Sequence, residues 1–180
     1  MLIVTGPSCS GKTTFGRMAR AKGIVVIETT DIVKEVFRET ARLGEDIIEF
    51  CVRTYQEEGE EVFAELNYDR IIQTGLEPAS LVLVGVRAAG EVEYFRRRVS
   101  ATTVIGIYAD TTSRYERCLI RDRQDCAKNI QEFIRRDMRE YAMGLARLFS
   151  GTLDFLMLNN GTLADFEMKV HSELHRVFAL

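Results

Sequence analysis

Gly6-Pro7-Ser8-Cys9-Ser10-Gly11-Lys12-Thr13 is the stretch of sequence that decides the fold. It follows a short β-forming apolar run at residues 2–5 and precedes a segment of helical period at residues 12–22. The stretch matches G-x-x-x-x-G-K-[ST] at every fixed position. Glycine at Gly6 and Gly11 allows backbone conformations and close approaches that a Cβ atom would block. A strand, a tight loop and a helix are therefore predicted over residues 1–22.

This loop predicts a binding site for a nucleoside triphosphate. Inward-pointing backbone amides and the positive end of a helix dipole together bind phosphate. Lys12 can reach the β- and γ-phosphates, and the Thr13 hydroxyl can ligate Mg²⁺. ATP and Mg²⁺ are the predicted cofactors. The residues predicted to bind ATP in this segment are Gly6, Ser8, Cys9, Ser10, Gly11, Lys12, Thr13 and Thr14.

The rest of the chain alternates short apolar runs with longer segments of helical period. Further strands are predicted at residues 24–28, 81–86, 104–109 and 155–158, each buried on both faces because the apolar runs are continuous. Helices are predicted at residues 31–43, 45–75 with breaks, 90–97, 113–122, 129–149 and 164–178. The alternation predicts an α/β domain with a parallel sheet covered on both sides. Residues 31–78 form a helical insertion between the second and third strands of this single domain, residues 1–180.

Composition and charge narrow the function classes. The chain has 180 residues and a net charge of −3, which does not favour a dedicated nucleic-acid binder. No apolar run reaches the roughly 18 residues that span a bilayer, and no signal-peptide pattern is present, so a cytoplasmic protein is expected. The four cysteines Cys9, Cys51, Cys118 and Cys126 form no C-x-x-C pair, which predicts free thiols and neither zinc nor disulfides.

An arginine-rich segment follows the fourth predicted strand. Arg114, Arg117 and Arg121 are spaced by three and four residues, so they share one helix face. Arginines at such a place can stabilise the charge of a phosphoryl group in transfer. A solvated basic face is the alternative for about half of the arginines in this part of the chain.

In its order of motifs, the chain resembles the adenylate-kinase-like small-molecule kinases, a group that includes dephospho-coenzyme A kinase. Within this group it is most similar to a little-characterised archaeal P-loop kinase family. The resemblance covers nearly the whole chain and is carried by residues 6–14, 30–35, 84–87, 91–95, 114–117, 136–140 and 154–163. It implies a P-loop NTPase three-layer sandwich with a five-stranded parallel sheet, an acceptor-binding insertion at about 31–78 and a lid at about 114–139.

The resemblance also implies catalytic roles for individual residues. Asp31 matches an acid beside the reacting phosphates, where it orients the Mg²⁺ shell or accepts the hydroxyl proton, although a plain helix N-cap is the alternative. Arg87 matches an arginine that binds the acceptor's phosphate. The residues implied to be catalytic are Lys12, Asp31, Arg87, Arg117 and Arg121, and those implied to bind the metal are Thr13 and Asp31.

Further roles and one departure come from the same resemblance. Lys34 stands where relatives carry an arginine that binds the acceptor. Arg123 is a further lid candidate, and Arg139 is a candidate sensor of the triphosphate. Asn160 lies in a loop that borders the adenine in relatives. Val84 occupies a position where relatives carry an aspartate that helps to hold Mg²⁺.

Three functions stay open from the sequence. The first is an ATP-dependent kinase that acts on a nucleotide or nucleoside-type acceptor, as a monomer or homodimer away from membranes. The second is a kinase of a hydroxylated base in DNA, such as 5-hydroxymethyluracil, which the acidic insertion disfavours. The third is an ATP-binding regulatory switch without metabolic turnover, which the missing acid at Val84 supports.

Overall fold

The computed structural model describes residues 1–121 and 127–179 of the chain. The strands are β1 (Leu2–Thr5), β2 (Val25–Glu28), β3 (Leu81–Val84), β4 (Thr103–Tyr108) and β5 (Phe155–Leu158). The helices are α1 (Lys12–Ala21), α2 (Thr29–Thr40), α3 (Ile47–Glu58), α4 (Val62–Gln73), α5 (Ala89–Arg98), α6 (Thr111–Arg121), α7 (Ile130–Glu140), α8 (Ala146–Gly151) and α9 (Leu163–Phe178). None of the described helices is long and apolar enough to cross a membrane.

The five strands form one parallel sheet in the order β2-β3-β1-β4-β5. The predicted α/β fold with a five-stranded parallel sheet is thereby confirmed. Burial on both faces is confirmed for β1 and β3 and for the middle of β4. It is wrong for β2 and β5, because these strands lie at the two edges of the sheet, where the covering layers are incomplete.

Helices cover both faces of the sheet and create two apolar cores. On one face Ile3 and Leu83 pack with residues of α4, α5 and α8. On the other face Val4 and Val82 pack with residues of α1 and α9. Alternate residues of one strand therefore serve opposite cores, as the period of two in a strand requires.

The predicted helical insertion consists of α2, α3 and α4. The helix expected over residues 45–75 is divided because Gly59 ends α3 with a φ of 94°, a conformation that favours glycine. Asp46 opens α3 as its N-cap, in a capping box with Glu49. A third apolar cluster around Phe50 and Phe63 joins the three helices into one unit.

The helix predicted over residues 129–149 is also interrupted. One π-helical turn, Tyr141–Leu145, separates α7 from α8. At Gly144 in this turn, an added Cβ would lie 2.4 Å from the carbonyl oxygen of Arg87 and 3.1 Å from the Cα of Ala88. The turn therefore brings the backbone after α7 against the loop that follows β3.

Replacing Gly144 with alanine is expected to destabilise the fold. The new methyl group has no room beside the Arg87 carbonyl, and overpacking of this kind costs about 1–3 kcal/mol. Gly151→Ala is the matched control, because nothing lies within 4 Å of a Cβ added there. Urea unfolding measures both free energies, and equal stabilities for the two variants would contradict the close approach.

Candidate active site

Both glycines of the phosphate loop are required by close contacts. Gly6 has a φ of 147°, and its added Cβ would lie 2.3 Å from the carbonyl oxygen of Ile107 in β4. Gly11 has a φ of 119°, and its Cβ would lie 2.6 Å from Nδ2 of Asn159. The loop therefore packs tightly between β4 and the residues that follow β5.

Asn159, which the sequence analysis missed, holds the phosphate loop from the end of β5. Its buried Nδ2 donates a hydrogen bond of 2.8 Å to the carbonyl oxygen of Ser10. The predicted Asn160 is exposed, and its Oδ1 instead accepts a bond of 3.0 Å from the amide of Asp110. The sequence located the right loop, but the two adjacent asparagines point in different directions.

Lys12 is positioned over the loop by two carbonyl groups. Its Nζ donates to the carbonyl oxygens of Gly6, at 2.6 Å, and Pro7, at 2.8 Å. Burial, followed by the nearby positive charge of Arg87, lowers the pKa of Lys12 to about 7. A bound phosphate would restore the positive charge of this side chain.

Glu140, at the end of α7, binds the phosphate loop and Arg87 together. Its carboxylate accepts bonds from the Ser8 amide at 3.0 Å, the Ser8 hydroxyl at 2.5 Å and Arg87 Nη1 at 2.7 Å. Burial alone would raise the pKa of Glu140, but the charges of Arg87 and Lys12 and these hydrogen bonds lower it to about 2. The sequence analysis assigned no role to Glu140, although this acid lies within residues 136–140, one of the segments that carry the family resemblance.

Arg114 is a buried structural residue and not part of a solvated basic face. Only 1% of its surface is exposed, and its guanidinium binds both carboxylate oxygens of Asp137. It also donates to the carbonyl oxygens of Ser8, at 3.2 Å, and Ala109, at 2.8 Å. The helix face that carries Arg114 therefore supports the phosphate loop from within the protein.

A cavity of about 280 Å³ opens between the phosphate loop, the carboxyl ends of β2 and β3, and helices α2, α3 and α7. Ligands bind at this edge of open parallel sheets. Its charged lining residues are Lys12, Glu28, Lys34, Arg87, Glu91, Arg121, Arg136, Asp137 and Glu140. Its larger apolar lining residues are Val33, Ile47, Ile48, Cys51, Tyr55, Val84, Phe133 and Met143.

Of the two neighbouring acids Glu28 and Asp31, it is Glu28 that lines this cavity. Asp31 is exposed on the first turn of α2 and lies outside the lining, so the structure does not bring it to the phosphate loop. Glu28 ends β2 and pairs in register with Val84, the position without the acid seen in relatives. Burial raises the pKa of Glu28, an effect that Arg20 partly offsets.

The oxygen donors beside the loop suit Mg²⁺. Thr13 and Glu28 both line the cavity, and Glu28 Oε1 accepts no hydrogen bond from a described residue but lies 3.5 Å from Arg20 Nη2 in an ion pair. Mg²⁺ prefers such hard oxygen ligands together with phosphate oxygens and water. Within the described residues, no group of three or more His, Cys, Asp or Glu side chains is arranged to hold a metal ion.

A second cavity, of about 270 Å³, lies on the other side of the loop and contains the predicted lid arginines. Arg117 Nη2 donates to the carbonyl oxygen of Asn159 at 2.7 Å, while its Nη1 is buried without a partner. Arg121 lines both cavities and makes no hydrogen bond or ion pair within residues 1–121 and 127–179. The other lining residues are Cys9, Gly11, Thr14, Ile120, Asn159, Gly161, Leu163 and Phe166.

Two other arginines are predicted at the triphosphate site, and the structure describes one of them. Arg139 pairs with Asp46, at 2.7 Å, and lies 3.5 Å from Glu49, so it links α7 to α3. This pairing directs the side chain towards the insertion, and its role as a sensor of the triphosphate stays a prediction. The predicted lid residue Arg123 lies outside the described residues.

The cysteines also differ from the expectation. Cys9 and Cys51 are free, as predicted. Cys118 is disulfide-bonded, so the prediction of a free thiol is wrong there. Sequence spacing without a C-x-x-C pair could not reveal this bond, and Cys126 lies outside the described residues.

Comparison with known proteins identifies the family. A family model described as AAA domain matches residues 2–140. A UPF0200 protein from Methanothermobacter thermautotrophicus is 32% identical over 160 residues, which cover 89% of this chain and 81% of that protein. The chain belongs to the UPF0200 family. A UPF0200 protein from Sulfurisphaera tokodaii is 29% identical over 177 residues, with 98% of this chain and 97% of that protein covered. The predicted resemblance to archaeal P-loop kinase-like proteins is thus confirmed.

Solved structures show the same fold for this UPF0200 chain. Shikimate kinase from Bacteroides thetaiotaomicron matches with a TM-score of 0.62 and 17% identity, over 99% of this chain and 98% of that one. Shikimate kinase from Acinetobacter baumannii, in complex with shikimate, matches with a TM-score of 0.58 and 17% identity, over 99% and 92%. Similarity at this level of identity shows the fold alone, which is that of small P-loop kinases.

Binding of MgATP is expected to be coupled to proton uptake by Lys12. With a pKa of about 7 in the free chain, this amine is about one-tenth protonated at pH 8, and phosphate binding returns it to the ammonium form. About 0.9 proton is then taken up per chain at pH 8, and about 0.1 at pH 6. Its contribution to affinity is therefore complete below pH 7 and is lost as the pH rises above 7.

Isothermal titration in buffers of different ionisation enthalpy measures this uptake. The same protein titrated at pH 6 is the internal control, since Lys12 is already charged there. Binding heats at pH 8 that do not depend on the buffer would contradict the lowered pKa of Lys12.

Proposed function

We propose that the chain is a Mg²⁺- and ATP-dependent kinase that transfers the γ-phosphoryl group to a small nucleotide- or nucleoside-type acceptor. The observation that carries this proposal is the pair of cavities on the two sides of one phosphate loop. Cys9 and Arg121 line both cavities, so a single triphosphate can run from one to the other. The acceptor then occupies the cavity that is closed by the helical insertion.

The second cavity suits the nucleoside of ATP. It joins the loop residues Gly11 and Thr14 to the backbone that follows β5, and Phe166 provides an apolar wall. Arg117 lines this cavity, and its Nη1 is buried without a partner. The resemblance implies that the loop containing Asn160 borders the adenine. This cavity supports that role, but Asn159 rather than Asn160 lines the cavity.

The main cavity suits the reacting phosphates and the acceptor. Lys12 and Arg121 can stabilise charge on the transferred group, and Thr13 with Glu28 would hold Mg²⁺ there. A bound Mg²⁺ would neutralise phosphate charge. We assign to Glu28 the metal role that the sequence suggested for Asp31, because Glu28 lines the cavity and stands beside Val84.

The reaction is an in-line displacement at phosphorus. The hydroxyl oxygen of the acceptor forms a bond to the γ-phosphorus while the bond to the β,γ-bridging oxygen breaks. ADP leaves with the electron pair of that bond, and the hydroxyl proton is released to water. The loose transition state needs little help from a strong base, so positioning and charge stabilisation supply most of the catalysis. Helices α2 and α3 provide the positioning on the acceptor side.

Purified protein with MgATP is expected to release ADP in the presence of one or more members of an acceptor panel. The panel contains nucleosides, nucleoside monophosphates and an oligonucleotide with 5-hydroxymethyluracil. Transfer of labelled γ-phosphate identifies the product directly. Tight ATP binding without transfer to any member would contradict the kinase and favour the regulatory switch.

Matched variants separate the proposed site from contaminating activity. Glu28→Gln should lower the transfer rate by about 10–100-fold, the usual effect of disturbing the residues around a metal. Asp31→Asn removes an exposed carboxylate three residues away and should change the rate by less than about threefold. If Asp31→Asn lowers the transfer rate and Glu28→Gln leaves it unchanged, the metal role belongs to Asp31.

A further inference from the structure

We propose that the acceptor carries neither phosphate nor carboxylate, and that it is an uncharged, nucleoside-sized hydroxyl compound whose polar edge donates hydrogen bonds. This inference rests on the proposed kinase function. It deepens that function by assigning the chemical class of the acceptor from the charges and hydrogen bonds inside the main cavity.

Arg87, one of the arginines that line the main cavity, is already paired. Arg87 follows β3, and its Nη1 lies 2.7 Å from Oε2 of Glu140. Glu140 is only 5% exposed and is also fixed by the amide and the hydroxyl of Ser8. Drawing Arg87 away would leave a buried, uncompensated carboxylate, which is strongly unfavourable. A phosphate on the acceptor that approached Arg87 would meet the negative charge of Glu140 at the same place.

The remaining charges of the lining do not favour an anion either. Among the described residues, once Lys12 and Arg121 are assigned to the triphosphate and Glu28 to Mg²⁺, three basic and three acidic residues line the cavity. Of the basic ones, Arg87 is paired, Arg136 is engaged in an interaction of its own, and Lys34 is exposed on α2. The acidic ones are Glu91, Glu140 and Asp137, the last of which is paired with Arg114. The lining therefore offers a second anion no excess of positive charge, and the carboxylates of Glu91 and Glu140 repel one where water is scarce.

Glu91 gives the cavity an unused hydrogen-bond acceptor. Its Oε1 receives bonds from the amides of Arg87, at 2.9 Å, and Ala88, at 3.0 Å, and from the Tyr55 hydroxyl, at 3.0 Å. Its Oε2 accepts no hydrogen bond from the residues that the structure describes, although Glu91 is only 2% exposed and lines the cavity. A donor on a bound ligand can bond this oxygen in place of water. A hydroxyl or an N–H of the acceptor supplies one, whereas a phosphate or carboxylate does not.

The rest of the wall fits the flat or apolar body of such a compound. Val33, Ile48, Cys51, Phe133 and Met143 line the same space. Its volume of about 280 Å³ lies at the small end of ligand cavities. Because the γ-phosphate must share this space, the acceptor is limited to about the size of a nucleoside.

Binding experiments with matched ligands test the acceptor class without requiring turnover. The chain is saturated with Mg²⁺ and a non-hydrolysable ATP analogue and titrated with the common deoxynucleosides and their 5′-monophosphates. At least one nucleoside is expected to bind about tenfold or more tightly than its own monophosphate. Tighter binding of the monophosphates, or no binding of any nucleoside, overturns the inference.

Variants then test whether Glu140 and Glu91 cause the preference. Glu140→Gln releases Arg87 and should shift the affinity ratio by about tenfold or more towards the monophosphate. Glu91→Gln keeps an oxygen for the amides and should weaken only the nucleoside, not the ATP analogue. Glu132→Gln, the same change on the first turn of α7 and outside the lining, is the control. The ratio is measured within one sample, so loss of folded protein does not alter it. An unchanged ratio in Glu140→Gln overturns the inference.

The two proposals fail in distinguishable ways. Absence of phosphoryl transfer with intact nucleoside selectivity contradicts the kinase and leaves the acceptor pocket standing. Transfer that prefers a monophosphate acceptor contradicts the inference and leaves the kinase standing.

Discussion

Two buried ion pairs fix the backbone of Ser8, and the rest of the site depends on this constraint. The amide and hydroxyl of Ser8 donate to Glu140, while its carbonyl oxygen accepts from Arg114, which Asp137 holds. Both acids lie on the last turn of α7. A buried charge that loses its partner is costly, so the phosphate loop, α6 and the loop after β3 are locked to one helix. The geometry of the triphosphate site is therefore set largely by a helix that is distant in sequence.

The same helix connects the donor side of the site to the acceptor side. Glu140 binds Arg87 next to the main cavity, and Arg139 binds Asp46 at the start of α3. The π-helical turn after α7 packs Gly144 against the carbonyl of Arg87. A change in the position of α7 would therefore move the phosphate loop, Arg87 and the insertion together. This arrangement also explains why Arg87, Asp137 and Glu140 in the cavity wall are paired.

The sequence predicted the elements better than the directions of side chains. The phosphate-loop motif and the continuous apolar runs were sufficient for the strand–loop–helix unit and for the five-stranded parallel sheet, because their spacing alone determines them. Asp31 and Glu28, like Asn160 and Asn159, lie close together in the chain, and only the register of β2 and β5 decides which member faces the site. Arg139 and Glu140 show the same limit on a helix. Pairings across long sequence separations, such as Glu140 with Ser8, leave no local pattern.

A crystal structure of the chain with Mg²⁺ and a non-hydrolysable ATP analogue tests the central claim most directly. The account predicts that the phosphates lie along residues 6–14 and that Lys12 leaves the carbonyls of Gly6 and Pro7 for a phosphate oxygen. It also predicts that Glu140 keeps its bonds to Ser8 and Arg87. A nucleotide bound elsewhere, or a bound triphosphate that draws Arg87 away from Glu140, would contradict it.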